Sequence, residues 1–472
     1  MRWIVAALLA LLAFPAVASA HGVQGRAETP IPVAAFFWAA GGVLAVSFIG
    51  LALGWSTARL TGDHWRAAPL KLSRILLSPV AVWTGRVLVL AGFLFVWAAA
   101  AFGSTRLNSN IAPLIIFVVW WVGLVPISVL FGNVWRELNP WATLARLLRI
   151  PDERDVALPH WLGVWPAAVL LVGWAWLELV YPADAEPRLM AVVIGLYTLG
   201  MLAGMYRFGI ERWLDSGEMF TVYTGTLATL SPVEVRSTPE GRRLGFRPPI
   251  IGVTKIEWAP ARVAFIGALI ATVTFDGLSG SDFWATRDVA AAERLIERGI
   301  DSFTAGIIVA TIGLLVTLAL IIGLYEGASH LSAHLAGWTR LRQGARTASA
   351  FVHALIPIAL AYFVAHYFTL FVFQAQDLIR QISDPFGTGA DWFGTADHQI
   401  DFQLVSANVI WAVQVTAIAV GHMIGLALAH DRSLQLAPNS KIALRSQYPM
   451  LVLMVVFTVC GLWSLSEGMA TV

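Results

Sequence analysis

Long apolar runs alternate with short polar segments along almost the entire chain. Each run is close to the about 20 residues that an α-helix needs to cross a bilayer. The pattern predicts ten membrane-spanning helices, near residues 31–54, 80–102, 111–131, 161–181, 188–206, 260–278, 303–325, 351–374, 404–429 and 449–467. The predicted fold class is therefore an all-α, polytopic integral membrane protein.

A separate pattern marks the first twenty residues, "MRWIVAALLALLAFPAVASA". Arg2 precedes a short apolar core, and the small residues "ASA" end it, which is typical of a secretory signal peptide cleaved after Ala20. Residues 1–20 are thus predicted to be a signal peptide, and residues 21–472 a single transmembrane helical domain. An uncleaved signal anchor is the alternative.

The basic residues of the connecting segments predict the orientation. If His21 lies outside, the segments predicted to be inside hold 22 Lys and Arg, against seven in the outside segments. This asymmetry follows the positive-inside rule. We expect a multi-pass protein of the bacterial inner (cytoplasmic) membrane, with the mature N-terminus outside.

Composition agrees with this class. Hydrophobic residues make up 58% of the chain, charged residues 13%, and the mean hydropathy is +0.72, whereas a soluble domain has about 25% charged residues. The lipid bilayer is the expected partner, and no nucleic acid is expected. Cys460 is the single cysteine, which excludes an intrachain disulfide and a cysteine-cluster metal site.

A polar stripe interrupts the end of the seventh apolar run, "GLYEGASHLSAHLAGW". Glu326, His330 and His334 are spaced four apart, so they lie on one face of a helix. His353 begins the eighth run at the same predicted membrane level, and His422 lies near the corresponding end of the ninth. The stripe and these histidines are therefore predicted to converge.

Such a group of side chains suits a metal ion. Imidazole nitrogen and carboxylate oxygen bind divalent transition metals, zinc or similar with copper possible, and three protein ligands with an open position suit catalysis. The predicted ligands are Glu326, His330, His353 and His422. Their spacing matches no named metal signature, and His334 is interpreted as an ordinary interfacial histidine, as is His430.

His366 lies deeper in the eighth run, and Asp276 ends the sixth at a similar level, in "TVTFDGLSGSDFW". Because ionisable groups inside a membrane are usually functional, both are predicted to be catalytic, as a base or a further metal ligand. The alternative is a histidine that merely hydrogen-bonds to a neighbouring helix. Glu211 and Glu218, beside Arg207 and Arg212, are interpreted as boundary ion pairs.

Four segments carry a resemblance to a known family: "HGVQGRAETPIPVAAFFWAA", "FGNVWRELNPW", "TFDGLSGSDFW" and "HALIPIALAYFVAHYF". In combination they resemble the membrane-bound fenitrothion hydrolase family. The resemblance implies a phosphoric triester hydrolase that releases a substituted nitrophenol from a small apolar organophosphorus substrate. A bound metal would suit this chemistry, because it lowers the pKa of its water to about 7.

Two other functions remain open at this stage. His21, as a mature N-terminal residue, would offer its amine and imidazole together, a pair that copper favours, so a copper-handling or other transporter is one alternative. His353 and His366 are thirteen residues apart on one predicted helix, near the spacing of ligands to two stacked haems. A haem-binding membrane subunit is therefore the other alternative.

Overall fold

The computed structural model describes residues 33–183, 185–338 and 346–469. The predicted signal peptide and His21 lie outside these residues, so cleavage after Ala20 and copper binding at the N-terminus stay predictions. The described chain is mostly helical. In chain order its α-helices are α1 Val33–Gly54, α2 Leu70–Leu76, α3 Pro79–Phe102, α4 Ile111–Pro113, α5 Leu124–Phe131, α6 Val134–Leu138, α7 Pro140–Leu147, α8 Trp165–Leu179, α9 Pro187–Phe208, α10 Ile210–Leu214, α11 Met219–Ala228, α12 Pro260–Ser279, α13 Asp282–Ile296, α14 Ser302–Ala336, α15 Arg346–Phe351, α16 Ile356–Gln374, α17 Leu378–Gln381, α18 Ala407–Leu436 and α19 Ser440–Met469.

Eight helical segments of the described chain are long and apolar enough to cross a membrane. They are Leu70–Phe102, Ile111–Phe131, Pro187–Phe208, Pro260–Ser279, Ser302–Ala336, Arg346–Gln381, Ala407–Leu436 and Ser440–Trp463. Shorter apolar helices, Gly41–Gly54 and Trp165–Leu179, coincide with the other two predicted spans. A helical, multi-pass membrane protein is thus confirmed, while the count of ten and the orientation stay predictions.

A small antiparallel sheet adds to the predicted all-α fold. Its strands are β1 Arg66–Ala67, β2 Val233–Thr238 and β3 Gly241–Phe246, in the order β1-β3-β2. Gly241, the first residue of β3, directly follows the turn and has φ +101°, a conformation that glycine adopts without strain. The hairpin defines one end of the molecule, here called the sheet end. The loop 382–406 lies beyond α17 and marks the other, the loop end.

The third apolar segment is not one regular helix. It continues from α4 as a π-helix, Leu114–Trp120, and resumes as α5 at Leu124. Short π-helical stretches of this kind occur frequently at functional sites. Helix α11 packs against α5 and α8, and all its residues are buried except Gly225, which is half-buried.

Asn139 and Glu218 hold two of the short helices together. Asn139 accepts from the Ala142 amide at the start of α7, and Glu218 accepts from the Phe220 and Thr221 amides at the start of α11. Both side chains are completely buried. Each therefore satisfies helix N–H groups that would otherwise be orphaned inside the protein.

Helix α16 is the centre of the bundle. It packs against α12 on one side and α18 on another, and the window that contains it is the most buried of the eight candidate spans. Close approach is possible because small residues of α18 lie against it: a Cβ at Gly421 would come within 2.3 Å of the Ala361 side chain. Polar groups on α12 and α16 are consequently held among packed helices.

Candidate functional site

Asp276 and His366 meet where α12 and α16 pack together. Asp276 lies three residues before the end of α12, near the loop end, and His366 lies in the half of α16 that leads to the same end. Oδ2 of Asp276 is 2.7 Å from Nε2 of His366. The two residues, which were predicted to lie at a similar membrane level, are in direct contact, and their catalytic roles stay predictions.

A third residue completes the cluster. The hydroxyl group of Tyr367 donates to the same oxygen, Oδ2 of Asp276, at 2.9 Å. The Tyr367 ring is 6% exposed, while the side chains of His366 and Asp276 are 26% and 22% exposed. The carboxylate and imidazole are therefore within reach of a small molecule, and the tyrosine is enclosed behind them.

The hydrogen bonds to Asp276 define the proton positions for an ionised carboxylate beside a neutral imidazole. The Tyr367 O–H is a donor, and an ionised carboxylate only accepts. With a neutral imidazole, Nε2–H donates to Asp276 and leaves a lone pair on Nδ1. The ring is thus held in one tautomer, with Nδ1 as its basic atom. An imidazole oriented by a carboxylate is one arrangement that supports general-base catalysis.

Aromatic rings form the inner wall of the cluster. The Tyr367 ring lies 4.7 Å from that of Phe363, whose ring is 6.2 Å from Tyr223 and 6.1 Å from Trp121. Tyr223 and Trp121 are stacked at 4.9 Å. These rings cover the Tyr367 side of the cluster, and the carboxyl group of Glu178 lies close enough to interact electrostatically with both tyrosines.

Glu326 and His330 share one face of α14, as the four-residue spacing predicts. Their closest charged atoms are 3.8 Å apart, and the His330 side chain is 50% exposed while that of Glu326 is 29% exposed. Both side chains are partly or largely exposed on the surface of α14, whereas His353 and His422 are buried.

His353 and His422 are enclosed by packing. His353 is 3% exposed in the turn Val352–Leu355, where its ring hydrogen-bonds to the backbone of Ala350 and Leu428. His422 is fully buried, and its Nδ1 is 2.9 Å from the carbonyl oxygen of Ile418. The imidazole of His353 is thus held by backbone groups of the preceding helix and of α18, and that of His422 by a carbonyl group of its own helix.

The structure does not bring the four predicted ligands together around one point. In the three described ranges, no group of three or more His, Cys, Asp or Glu side chains is placed to hold a metal. The physical reason is angular: a shared membrane level does not bring side chains together unless their helices also turn them inward. Glu326, His330, His353 and His422 do not form one ligand group in the described part of the chain, and the metal cofactor stays a prediction.

His430 was interpreted as an interfacial residue, but its side chain is buried. It is 1% exposed; its Nδ1 is 2.8 Å from Oε1 of Gln447 and its Nε2 is 2.8 Å from the Trp55 carbonyl oxygen. The next residue, Asp431, accepts from the amides of Arg59 and Leu60. These contacts anchor the segment after α1 to α18, which gives His430 a structural role.

Tyr367 and Glu218 were missed by sequence reasoning. The dipeptide His366–Tyr367 offered a signal, since a second polar aromatic side chain next to an intramembrane histidine also needs a partner. Glu218 stands beside arginines in the sequence but accepts from uncharged groups only. The hydrophobic periodicity of the sequence gave no indication that Glu218 is buried among aromatic residues.

Models of known families do not match the chain, and neither characterised proteins nor solved structures show significant similarity to it.

Proposed function

We propose that this protein is a membrane-embedded hydrolase of uncharged esters, in which His366 acts as general base. The observation that carries the proposal is the 2.7 Å contact between Nε2 of His366 and Oδ2 of Asp276. Both side chains are partly exposed. Organophosphorus triesters are the substrate class, because the resemblance to fenitrothion hydrolases implies it.

The reaction begins with a water molecule beside Nδ1 of His366. The imidazole takes one proton from this water as its oxygen forms a bond to phosphorus. The bond between phosphorus and the aryloxy oxygen breaks, and the aryloxide leaves with the electron pair. The proton on His366 then passes to solvent or to the aryloxide, which restores the neutral ring. The products are a phosphodiester and a phenol.

Asp276 and Tyr367 are positioning residues in this scheme. The carboxylate keeps Nδ1 available and stabilises the imidazolium that forms when the water is deprotonated. The Tyr367 hydroxyl restrains the carboxylate from the enclosed side. Because both partners bind one oxygen, rotation of Asp276 would break two hydrogen bonds at once.

An uncharged substrate suits the location of the pair Asp276 and His366, here called the dyad. Asp276 and His366 both lie within segments long and apolar enough to cross a membrane. Neutral triesters dissolve in lipid and approach such a site without the desolvation cost that an ion would incur. A 4-nitrophenolate leaving group needs no protonation, so one base is sufficient.

A metal ion has no step in this scheme, because the predicted ligands do not form one site. The metal site predicted from the Glu and His residues of the sequence stays a separate prediction, tested by chelation and by substitution of His330.

The test is turnover of diethyl 4-nitrophenyl phosphate by purified protein in lipid nanodiscs, followed as nitrophenolate release. His366→Gln should lower kcat by about 100-fold or more, the usual contribution of a general base. Tyr367→Phe should lower kcat by roughly fivefold, since it removes one neutral hydrogen bond.

His64→Gln is the matched control. His64 lies in an exposed segment before the sheet, where Nε2 is 3.1 Å from the Thr61 carbonyl oxygen. This variant should keep the rate of the unsubstituted protein. Release that does not depend on His366, or no release by correctly folded protein with any aryl ester, would refute the proposal.

A further inference from the structure

A large polar cavity lies at the sheet end, near the start of α3 and the end of α5. Its volume is about 1290 Å³, and it lies between α3, α5, α6, α11 and the β2–β3 hairpin. Asp276, His366 and Tyr367 do not line it. The cavity is thus independent of the proposed hydrolase function.

Cationic side chains outnumber carboxylates on the walls of this cavity. In the described chain, seven cations line it against three carboxylates, which are Glu137, Glu211 and Glu234. These carboxylates form ion pairs with five of the arginines. Three aspartates from outside the lining, Asp63, Asp152 and Asp215, also pair with cations of this set. Even with these aspartates, the cations outnumber the carboxylates that pair with them.

Arg86 of α3 is the lining cation that has no carboxylate partner among the described residues. It is half-buried, and its Nε donates to the carbonyl oxygen of Glu137 at 2.9 Å. Its two Nη groups make no hydrogen bond to the described residues, and they are not among the donors sealed from the surface. They are therefore accessible from the cavity. A cation within an apolar segment is costly unless it has a partner.

Glu137 brings a second arginine next to Arg86. Its carbonyl oxygen accepts from Arg86, while its carboxylate pairs with Arg242 of β3. Helix α6 approaches α3 closely at this point because Gly85 has no side chain: a Cβ there would come within 2.8 Å of the Leu138 side chain. One residue thus holds two guanidinium groups near each other.

Two more arginines extend this group. Arg146 of α7 lies near enough to Arg86 for the two charges to interact, and Glu211 pairs with both Arg146 and Arg136. Like charges at short range repel, so an anion between these side chains would stabilise them. Phosphate suits the position, because the planar N–H fork of arginine matches its oxygens and forms charge-assisted hydrogen bonds with them.

One edge of the cavity is apolar. Leu76, Leu130 and Phe131 line it, and each is more than half exposed. They belong to the segments Leu70–Phe102 and Ile111–Phe131, which are long and apolar enough to cross a membrane. A phosphate group held by the arginines would therefore lie next to a surface suited to hydrocarbon chains.

We infer that this cavity binds a phosphate group through Arg86 and Arg242, and that an anionic phospholipid carries the phosphate. The excess of cations favours an anion, and the apolar edge favours a molecule with acyl chains. Basic pockets between transmembrane helices bind anionic lipid headgroups by the same combination. A soluble phosphate would contact the same arginines but not the apolar edge.

The test is isothermal titration calorimetry of the full chain, delipidated in dodecyl maltoside. The three probes are dihexanoyl phosphatidylglycerol, which is anionic, dihexanoyl phosphatidylcholine, which has no net charge, and inorganic phosphate, which has no acyl chains. Phosphatidylglycerol should bind saturably. The other two should bind about tenfold more weakly or less, because one lacks the net charge and the other lacks the apolar contact.

Substitution of the arginines locates the binding. Arg86→Gln should raise the Kd for phosphatidylglycerol about tenfold through loss of a charge-assisted hydrogen bond. Arg242→Gln should raise it about threefold and provides the test if Arg86→Gln does not fold, since the Arg242 side chain is 44% exposed. Arg188→Gln is the matched control and should leave the Kd unchanged. Arg188 also donates to a backbone carbonyl oxygen, that of Gly103, but lies exposed near the loop end.

A Kd for phosphatidylglycerol that neither Arg86→Gln nor Arg242→Gln changes, or no binding by folded protein, would overturn the inference. Equal binding of phosphatidylcholine would contradict the role of the charge excess. Inorganic phosphate that binds as tightly as the lipid, and depends on Arg86, would assign the phosphate to a soluble carrier and overturn the lipid assignment.

Discussion

Asn139 and Glu218 each cap a short helix, and their side chains hydrogen-bond to each other at 2.8 Å. Glu218 accepts six hydrogen bonds, all from uncharged donors: Nε1 of Trp135, Nδ2 of Asn139, the hydroxyl of Tyr197, the amide of Phe220, and the amide and hydroxyl of Thr221. One carboxylate thus connects α6, α7, α9 and α11.

Glu218→Gln should therefore be strongly destabilising. The amide nitrogen of glutamine would face donors instead of accepting from them, leaving at least one buried donor unsatisfied at a cost of about 3 kcal/mol. Thermal unfolding in detergent, followed by tryptophan fluorescence, measures the change. Glu240→Gln is the control, because Glu240 is 69% exposed in its ion pair with Arg243, and its loss should cost under about 0.5 kcal/mol. Equal effects would contradict the role of Glu218.

Asp431→Ala should release the segment that follows α1. Oδ1 of Asp431 accepts from the Arg59 amide at 2.5 Å, from the Leu60 amide at 3.2 Å and from Nε1 of Trp55 at 3.2 Å. Its removal leaves these donors without an acceptor, at a cost of about 2 kcal/mol. Hydrogen exchange should accelerate in residues 55–60 and stay unchanged in β2 and β3. Unchanged protection in both regions would contradict the role of Asp431 in holding the segment after α1.

The sheet end should respond to acid through Asp63. Hydrogen bonds from Arg236 and Lys255 hold the pKa of its carboxyl group well below the usual 3.8. A lowered pKa means that the stabilisation is fully present above the unfolded-state value and is lost as pH falls through the folded-state value.

Asp63→Asn provides the measurement. The difference in thermal midpoint between the unsubstituted protein and this variant should be constant above a pH of about 5 and should narrow as pH drops below the unfolded-state value. A difference that persists at low pH would show that the effect of Asp63 does not depend on its charge.

Metal removal should distinguish catalysis by the Asp276–His366 dyad from catalysis by the predicted metal ligands. Because Glu326 and His330 lie apart from His353 and His422, His330→Gln and prolonged treatment with a chelator should leave ester hydrolysis within about twofold, as expected for positions outside a catalytic constellation. A large loss in both experiments, restored by added zinc, would instead support the sequence-based prediction of a metal site.

The apolar runs predicted the helical segments well because about 20 consecutive apolar residues have few alternatives to a spanning helix. They gave no sign of the π-helix before Trp121, since hydrophobicity does not depend on the hydrogen-bond register. The β2–β3 hairpin was also hidden, because its segment contains several arginines and shows no strand-like alternation of apolar residues. It packs partly against Trp65, which is distant in sequence and contacts Gly245.

The candidate site was predictable only in part. Matching membrane levels placed Asp276 beside His366, since both lie near the loop end of adjacent helices. The same reasoning does not bring His330 and His353 together in the structure, because level along a helix does not determine the direction around it. Tyr367 follows His366 directly and points about 100° away around the helix, yet its long side chain reaches the same carboxylate.

A double-mutant cycle tests the central claim most directly, with kcat measured for hydrolysis of diethyl 4-nitrophenyl phosphate by the unsubstituted protein, Asp276→Asn, His366→Gln and the double variant. If the carboxylate acts through the imidazole, the double variant should be about as slow as His366→Gln alone, because residues that act as a unit are not additive. Losses that multiply in the double variant would mean that Asp276 and His366 act independently, and would contradict the proposed dyad.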